Sequence, residues 1–492
     1  MNFKTVLYFL GKIYIVLAAL MLLPLWVCFY YRMHGFSETE YSSFLIPIFI
    51  LLVLGLLLTI KKPDNSNLFV KEGFTICGLA WITMSMLGAL PFVLSGAIPS
   101  YIDALFETAS GFSTTGSSIL SEIHSLPKSI LFWRSFTHWI GGMGLLSFMI
   151  AIVPKAQGNH MHIMKAEVPG PTTSKVVSKI SSSARILYII YFVMTVLEMA
   201  VLYIGSRIVG DNIRLYDCVV TAFATAGTGG FSVMNNSIAG YNSAFAEWTI
   251  IVFMFLFAVN FNMYYFLLTK KFKNVFKDQE LRAYMFINIT AVILISINIY
   301  HLYDNVGLVL RNSFFSVNSI MSTTGFGTAD FNTWPTFSKT ILLMLMCIGG
   351  CAGSTGGGMK VVRIQLLFRQ LVRDFKQMVR PNSVVSIRMN RRVVDPHILK
   401  GLNSYLNVYI ITLVVSVFLI SLDNFDTTTT FTAVVACINN VGPGLGMVGP
   451  TGNFADFSVF SKIVLIFDML AGRLELFPIL LLLSPNTWRR AK

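Results

Sequence analysis

The sequence predicts an all-α membrane protein in which two N-terminal helices precede four pseudo-symmetric repeats of helix, pore loop and helix around a central pore. Three observations support this prediction. Only 12% of the 492 residues are charged and 55% are hydrophobic, whereas a soluble domain carries about 25% charged residues. Ten apolar stretches reach the length of about 20 residues that crosses a bilayer. Four shorter glycine-containing segments recur between them, and such recurrence indicates repeated structural units.

The formal net charge of +14 reflects membrane topology rather than nucleic-acid binding. Basic residues crowd into alternate loops, as the positive-inside rule requires of cytoplasmic segments. The longest such loop runs from Arg363 to Lys400, and the intervening loops hold few basic residues. The pattern predicts cytoplasmic N- and C-termini and a chain that contacts lipid but no nucleic acid. The other cytoplasmic clusters are Lys61, Lys62 and Lys71; Lys155, Lys165, Lys175, Lys179 and Arg185; and Lys270, Lys271, Lys273, Lys277 and Arg282.

The ten predicted spans return the chain to the side on which it starts. They lie near residues 6–31, 43–60, 72–94, 130–153, 184–206, 245–269, 283–303, 338–368, 400–422 and 458–484. The predicted units are a pair of N-terminal helices (1–60) and four pore repeats (61–165, 166–275, 276–392 and 393–492). The third repeat also contains a broken inner helix and the basic linker.

Four segments on the poorly basic, outer side are too short to cross the bilayer and too apolar to lie in water. They cover about residues 101–118, 213–232, 309–328 and 427–446. Each is predicted to enter as a half-helix and return extended, because irregular backbone at membrane depth must be buried in protein or line a watery cavity. The extended parts align as Ser113, Thr114, Thr115 and Gly116; Gly227, Thr228, Gly229 and Gly230; Ser322, Thr323, Thr324 and Gly325; and Asn439, Asn440, Val441 and Gly442.

This alignment predicts a filter for a dehydrated cation. Carbonyl oxygens from four converging segments can replace the water around an ion, and glycine adopts the dihedral angles that aligned carbonyls need. The half-helices would also direct their partially negative C-terminal ends toward the pore. One Thr-Thr-Gly alone is more typical of a turn or a tight helix crossing, but four corresponding copies favour the filter. The predicted ion ligands are Thr114, Thr115, Thr228, Gly229, Thr323, Thr324, Asn440 and Val441.

A glycine-rich stretch interrupts the span predicted at 338–368. Residues 349–360 contain six glycines, each of which costs a helix about 1 kcal/mol relative to alanine. A discontinuous helix that lines a cavity is therefore predicted. Close packing of helices through small residues is the alternative.

Arg473 lies midway along the last predicted span. A charge at that depth costs about 2.5–3.5 kcal/mol and normally faces a cavity or a partner. The structural alternative is an ion pair with Asp468 or Glu475, although spacings of five and two residues do not stack side chains on one helical face. Glu198 is predicted to neutralise an unidentified basic residue, and His138 to be a core or interfacial side chain.

These motifs resemble those of the bacterial TrkH/TrkG/KtrB superfamily of K⁺ transporters over essentially the whole chain, and the two extra N-terminal helices indicate the TrkH type. The resemblance implies K⁺ uptake through a filter of four glycines, all present here. Because the fourth segment supplies no hydroxyl, the filter is expected to be less symmetric than that of a tetrameric channel. The resemblance also implies an intramembrane gate beneath the filter, with Arg473 as a positive obstacle to cations. The implied gate residues are Gly353, Ser354, Thr355, Gly356, Gly357, Gly358, Lys360 and Arg473.

The same resemblance implies a homodimer in the bacterial inner membrane, docked on a cytosolic nucleotide-binding regulatory subunit of the TrkA type. K⁺ is then the transported ion, and no cofactor is expected on this chain. A Na⁺-selective or Na⁺/K⁺-symporting member of the same fold remains an alternative. An intramembrane enzyme is the alternative from another class. It is disfavoured because no histidine lies within the predicted spans from 338 onward to act as a base for Ser354.

Overall fold

The computed structural model describes residues 1–63, 70–144, 180–390 and 392–488. Within these ranges the chain is almost entirely helical. Two-residue antiparallel strands, β1 (Arg388–Met389) and β2 (Arg392–Val393), pair within the basic linker. The basic cluster predicted from Lys155 to Lys179 and the C-terminal Arg489, Arg490 and Lys492 lie outside the described residues.

The described helices follow the predicted order of units. Up to the end of the first repeat they are α1 (Phe3–Leu20), α2 (Leu22–Met33), α3 (Ser42–Thr59), α4 (Val70–Gly88), α5 (Leu90–Leu94), α6 (Tyr101–Phe112) and α7 (Lys128–Met143). In the second repeat they are α8 (Ile180–Val209), α9 (Leu215–Gly227), α10 (Ala244–Phe257), α11 (Phe261–Leu268) and α12 (Phe272–Phe276). In the third they are α13 (Gln279–Ile299), α14 (Val306–Met321), α15 (Thr336–Ile348) and α16 (Val361–Val379). In the fourth they are α17 (Pro396–Ile420), α18 (Thr427–Ile438), α19 (Val459–Arg473), α20 (Phe477–Leu483) and α21 (Pro485–Trp488).

Six helical segments in the described part of the chain are long and apolar enough to span a membrane, or seven if one bent pair counts as a span. They coincide with six of the ten predicted spans, and they make the prediction of an all-α membrane protein correct. The six are Phe3–Met33, Ser42–Thr59, Lys71–Leu94, Ala184–Val209, Gln279–Leu302 and Pro396–Asp423.

The prediction of continuous spans at 245–269 and 458–484 was wrong. The first is divided into α10 and α11, which meet at a bend of 92°. The second ends as α19 at Arg473, because Glu475 and Leu476 have φ angles of 57° and 67°, in the left-handed region that a right-handed helix cannot use.

The interruption predicted within 338–368 is present, as a break between α15 and α16. The span predicted at 130–153 begins as α7, and its continuation lies outside the described residues. The second helix of a repeat is therefore short or broken wherever the structure describes it, whereas the first helix is long.

Each predicted re-entrant segment contains a half-helix (α6, α9, α14 and α18). Three of the four begin with a capping side chain: Ser100, Asn305 and Asp426 each accept a hydrogen bond from a backbone N–H of the first turn. Such a cap satisfies a donor that would otherwise be unpaired at the start of a helix. These residues therefore fix where the half-helices start.

The four repeats pack in a cycle. The second helix of one repeat packs on the half-helix of the next: α7 on α9, α10 on α14, α15 on α18, and α19 on α6. Because the fourth of these contacts returns to the first repeat, the half-helices form a closed ring within one chain.

Candidate functional site

The four segments that follow the half-helices share one backbone conformation. In each, the second residue is left-handed, with φ between 53° and 60°, and the final glycine has φ between 79° and 100°. The N–H of the third residue bonds to the carbonyl five residues earlier, so that each half-helix ends in a Schellman motif. The left-handed residues are Thr114, Thr228, Thr323 and Asn440, and the glycines are Gly116, Gly230, Gly325 and Gly442.

A left-handed threonine is unusual, because a β-branched side chain is disfavoured there at a cost of about 1–2 kcal/mol. Three of the four segments carry this strain at the same position. Strained backbone persists only where its surroundings hold it in place, and it clusters at functional sites. The conformation common to the four segments is therefore maintained by the packing around them.

The four glycines close the segments into a ring. A Cβ atom on any of them would overlap the carbonyl oxygen just before the corresponding glycine of the next segment, so only glycine fits at this approach. The pairs are Gly116 with the Gly229 oxygen, Gly230 with the Thr324 oxygen, Gly325 with the Val441 oxygen, and Gly442 with the Thr115 oxygen. Four equivalent carbonyl oxygens thus lie around one ring, and all four belong to residues predicted as ion ligands.

Side chains join the segments to themselves and to each other. The hydroxyls of Ser113 and Thr115 lie 2.7 Å apart, and those of Ser322 and Thr324 also lie 2.7 Å apart. Asn440 Nδ2 donates a hydrogen bond to Thr115 Oγ1 (2.9 Å), which links the fourth segment to the first. In the described part of the chain no group of three or more His, Cys, Asp or Glu residues could hold a metal ion, and the acceptors at the ring are backbone and hydroxyl oxygens.

The break between α15 and α16 runs directly against the ring. The N–H of Gly357 donates to Thr323 Oγ1 (2.6 Å), and the N–H of Gly358 donates to the Asn439 carbonyl (3.0 Å). A Cβ on Gly357 would overlap the Asn439 oxygen. The loop 349–360 thus covers the third and fourth segments at a distance that only glycine permits.

The same loop is bound to the bend between α10 and α11. The N–H of Cys351 donates to the Ala258 carbonyl (2.9 Å), and the N–H of Phe261 donates to the Gly353 carbonyl (3.0 Å). Each interrupted helix therefore supplies partners for the backbone groups that the other leaves free. The two breaks stabilise each other.

Arg473 connects the loop with two helices. Its side chain is buried, with 5% of its surface exposed. Nη1 donates to the Thr355 carbonyl (2.7 Å), and Nη2 donates to the carbonyls of Gly141 and Gly142 at 2.6 Å each. The end of α19 is thereby joined to the loop and to the last turn of α7.

The two carboxylates considered as partners of Arg473 make other contacts. Glu475 forms an ion pair with Arg363 (2.5 Å). Asp468 accepts a hydrogen bond from the Ser416 hydroxyl (2.7 Å).

Two further charged groups hold the loop. The Lys360 ammonium is buried and donates to the Gly356 carbonyl within the loop. Glu280 Oε1 accepts from the N–H of Ala352 (2.6 Å) and from that of Val362 (3.3 Å). Glu280 therefore bridges the two ends of the loop, a role that its position at the start of α13 did not suggest.

A buried ion pair beside the ring was missed in the sequence. Arg134 Nε lies 2.6 Å from Glu107 Oε1, and both side chains are almost fully buried. The Arg134 guanidinium also stands 3.6 Å from the centre of the Phe231 ring and donates to the Ser232 carbonyl (3.0 Å). The available signal was the presence of one acid and one base inside two consecutive apolar segments.

His138 and Glu198 are both fully buried. His138 lies in the core, where its ring contacts the second segment. The carboxylate oxygens of Glu198 have no hydrogen-bond partner among the described residues, so the predicted basic partner is not found there.

The outer ends of the repeats are tied together by polar contacts. Asn235 Nδ2 donates to both carboxylate oxygens of Glu122, at 2.9 and 3.0 Å, and this hydrogen bonding lowers the pKa of Glu122 below its usual value. Lys462 of α19 pairs with Asp103 of α6 at 2.6 Å. These contacts join the first repeat to the second and to the fourth.

Residues 41–490 match the family described as TrkH, cation transport protein. The chain belongs to this family. The TrkH family consists of transport proteins, which excludes the enzyme alternative considered for Ser354.

Relatives of the TrkH type match along nearly the whole chain. The Trk system potassium uptake protein TrkH of Salmonella typhimurium is 34% identical, over 99% of this chain and 100% of the relative. The protein TrkG of Escherichia coli, from the same kind of system, is 30% identical over 87% of both chains. The crystal structure of the potassium transporter TrkH from Vibrio parahaemolyticus superimposes with a TM-score of 0.86 at 30% identity, covering 99% of this chain and 100% of that one. The TrkH fold is therefore common to the whole chain.

Proposed function

We propose that this protein carries K⁺ into the cell, as the pore-forming subunit of a Trk-type uptake system. The observation that carries the proposal is the closed ring of four equivalent carbonyl oxygens, at Thr115, Gly229, Thr324 and Val441. The potassium uptake named for the relatives supports K⁺ as the ion.

The ring is the proposed selectivity filter. An ion that sheds its water needs replacement oxygens on all sides, and a ring of peptide carbonyls provides them without a charged side chain. The repeated left-handed residue and glycine keep the four segments in one conformation. We propose the second and third residues of each segment as the ion ligands.

The loop 349–360 and Arg473 are the proposed gate. The loop lies against the third and fourth segments, and a buried guanidinium holds it by the Thr355 carbonyl. A cation leaving the filter on this side would meet both the loop and a positive charge. Displacement of the loop would have to break the bonds made by Thr323, Asn439 and Arg473.

The surroundings of the pore are proposed on the same basis. Both termini lie in the cytoplasm of a bacterial cell, and the protein spans the inner membrane as a homodimer. A cytosolic nucleotide-binding subunit of the TrkA type regulates it, as expected of a component of a Trk system. Symport with H⁺ or Na⁺ is one of two transport modes, the other being passive flow.

The filter is tested by serine substitution at each ring glycine, in protein reconstituted into liposomes. We expect Gly116→Ser, Gly230→Ser, Gly325→Ser and Gly442→Ser each to reduce the preference for K⁺ over Na⁺, because a Cβ would displace the neighbouring carbonyl. Uptake of Rb⁺ in competition with K⁺ or Na⁺ measures that preference. Gly401→Ser is the matched control, since a Cβ on Gly401 meets open space.

Wild-type preference in all four ring variants would refute the filter. A wild-type protein that prefers Na⁺ would instead assign it to the Na⁺-selective alternative.

A further inference from the structure

The backs of the four filter segments are braced in different ways. In the first and third segments, the side chains of the first and third residues form a hydroxyl pair, Ser113 with Thr115 and Ser322 with Thr324, at 2.7 Å in both cases. In the fourth, Asn439 Nδ2 donates to the Tyr409 hydroxyl (2.9 Å). The second segment has glycine at both positions and can form neither contact.

The imidazole of His138, from α7 in the first repeat, occupies the space that these side chains fill elsewhere. A Cβ on Gly229 would overlap Cγ, Nδ1 and Cδ2 of the ring. The ring centre lies 4.1 Å from that of Phe231, the residue after the filter glycine. The second segment can therefore carry glycine at 229 only because an aromatic ring from another repeat packs there.

Both nitrogens of the ring are engaged. Nδ1 lies 2.8 Å from the Gly111 carbonyl, and Nε2 lies 3.3 Å from the backbone N–H of Phe231. Since a carbonyl only accepts and an N–H only donates, these partners require the neutral tautomer with its proton on Nδ1. His138 thus connects the half-helix of the first repeat to the filter strand of the second.

We propose that His138 is a positioning residue for the second filter segment, where it replaces the hydroxyl pair of the first and third segments and sets the selectivity of the ring. The inference rests on the proposed function of the ring as a filter. It adds a specificity-determining side chain that comes from outside the four filter segments.

A cycle of substitutions tests this replacement. His138→Ala removes both the ring and its hydrogen bonds, and we expect the K⁺ preference in the Rb⁺ competition assay to fall about tenfold, as for the loss of one buried hydrogen bond. Gly229→Thr alone introduces the side chain found at positions 115 and 324, and it is expected to fail because it overlaps the imidazole. In the double variant the threonine enters the space vacated by the ring, and we expect most of the preference to return.

Position 227 is left as glycine in this cycle. A Cβ there would overlap the backbone carbonyl of His138, which His138→Ala does not move. His138→Phe completes the set, since it keeps an aromatic ring and removes both hydrogen bonds. Its K⁺ preference is expected to lie between those of the wild type and His138→Ala. Ser135→Ala, on the same helix and equally buried, is the control and should match the wild type.

Gly230→Ser is measured alongside, so that the two proposals can fail separately. If Gly230→Ser changes selectivity while His138→Ala and His138→Phe do not, the positioning role is wrong and the filter stands. If none of the three changes it, the filter itself is wrong. Failure of both His138 variants to fold, with no rescue by Gly229→Thr, would make His138 a core residue and overturn the inference.

Discussion

Replacing Arg473 with glutamine removes the one side chain that joins the loop 349–360 to both α19 and α7. The side chain donates one hydrogen bond to the loop, at the Thr355 carbonyl, and two to the end of α7. A hydrogen bond from a charged donor contributes about 1.5–3 kcal/mol to stability. Loss of the Thr355 bond alone should therefore raise the population of protein with a displaced loop by about 10- to 150-fold, at 1.4 kcal/mol for each factor of ten.

Arg473→Lys separates the hydrogen bonds from the charge. A lysine keeps the positive charge but lacks the planar fork that reaches three carbonyls at once. If hydrogen bonding holds the loop, the lysine variant should leak nearly as much as the glutamine variant. If the charge alone obstructs cations, the lysine variant should behave as the wild type.

The measurement is Rb⁺ uptake into liposomes that contain the purified chain without a regulatory subunit. Arg369→Gln is the control, because it removes one positive charge from α16, where Arg369 bonds to Gln279 (2.9 Å). Equal uptake by Arg473→Gln and Arg369→Gln would show that Arg473 does not restrain the loop. A thermal melting curve of each variant distinguishes leak from a loss of folded protein.

Two further predictions concern the loop and the ion pair beside the ring. Deletion of Gly356–Gly358 removes the donors to Thr323 and Asn439 and should raise Rb⁺ flux in the absence of a regulatory subunit; unchanged flux would argue against a gate. Arg134→Met leaves Glu107 buried without its partner and should lower the free energy of unfolding by about 3–5 kcal/mol. Adding Glu107→Gln should restore part of that loss in a thermal melt, whereas additive losses would mean that the two residues are not coupled.

The long helices and the re-entrant segments were predictable because each is encoded locally. Twenty apolar residues identify a span wherever they occur, and the recurrence of the glycine segments identified the repeats. The conformation of those segments was also foreshadowed, since glycine at the fourth position permits a positive φ. The third-repeat break was predictable for the same reason, because its glycines are consecutive in sequence.

The breaks at Ala258–Asn260 and Leu474–Leu476 contain no glycine or proline, and their apolar context resembles a continuous span. They persist because distant residues complete them, as Cys351 does for the Ala258 carbonyl. One local signal was available: Asn260 caps α11 by accepting from the N–H of Asn262. The contacts of Arg134 and His138 depend on how the first and second repeats pack, and no spacing along the chain specifies that packing.

The four quarters of the ring are parts of one polypeptide, and only the third contributes the loop 349–360. In an assembly of identical subunits, four such loops would act on one opening, and their concerted movement would produce a steep response to an effector. Here one loop covers the opening from one side, so each pore has a single two-state element. The dose–response of an isolated pore to its regulator should therefore be hyperbolic, and any steepness must originate in the regulator or in contacts between pores.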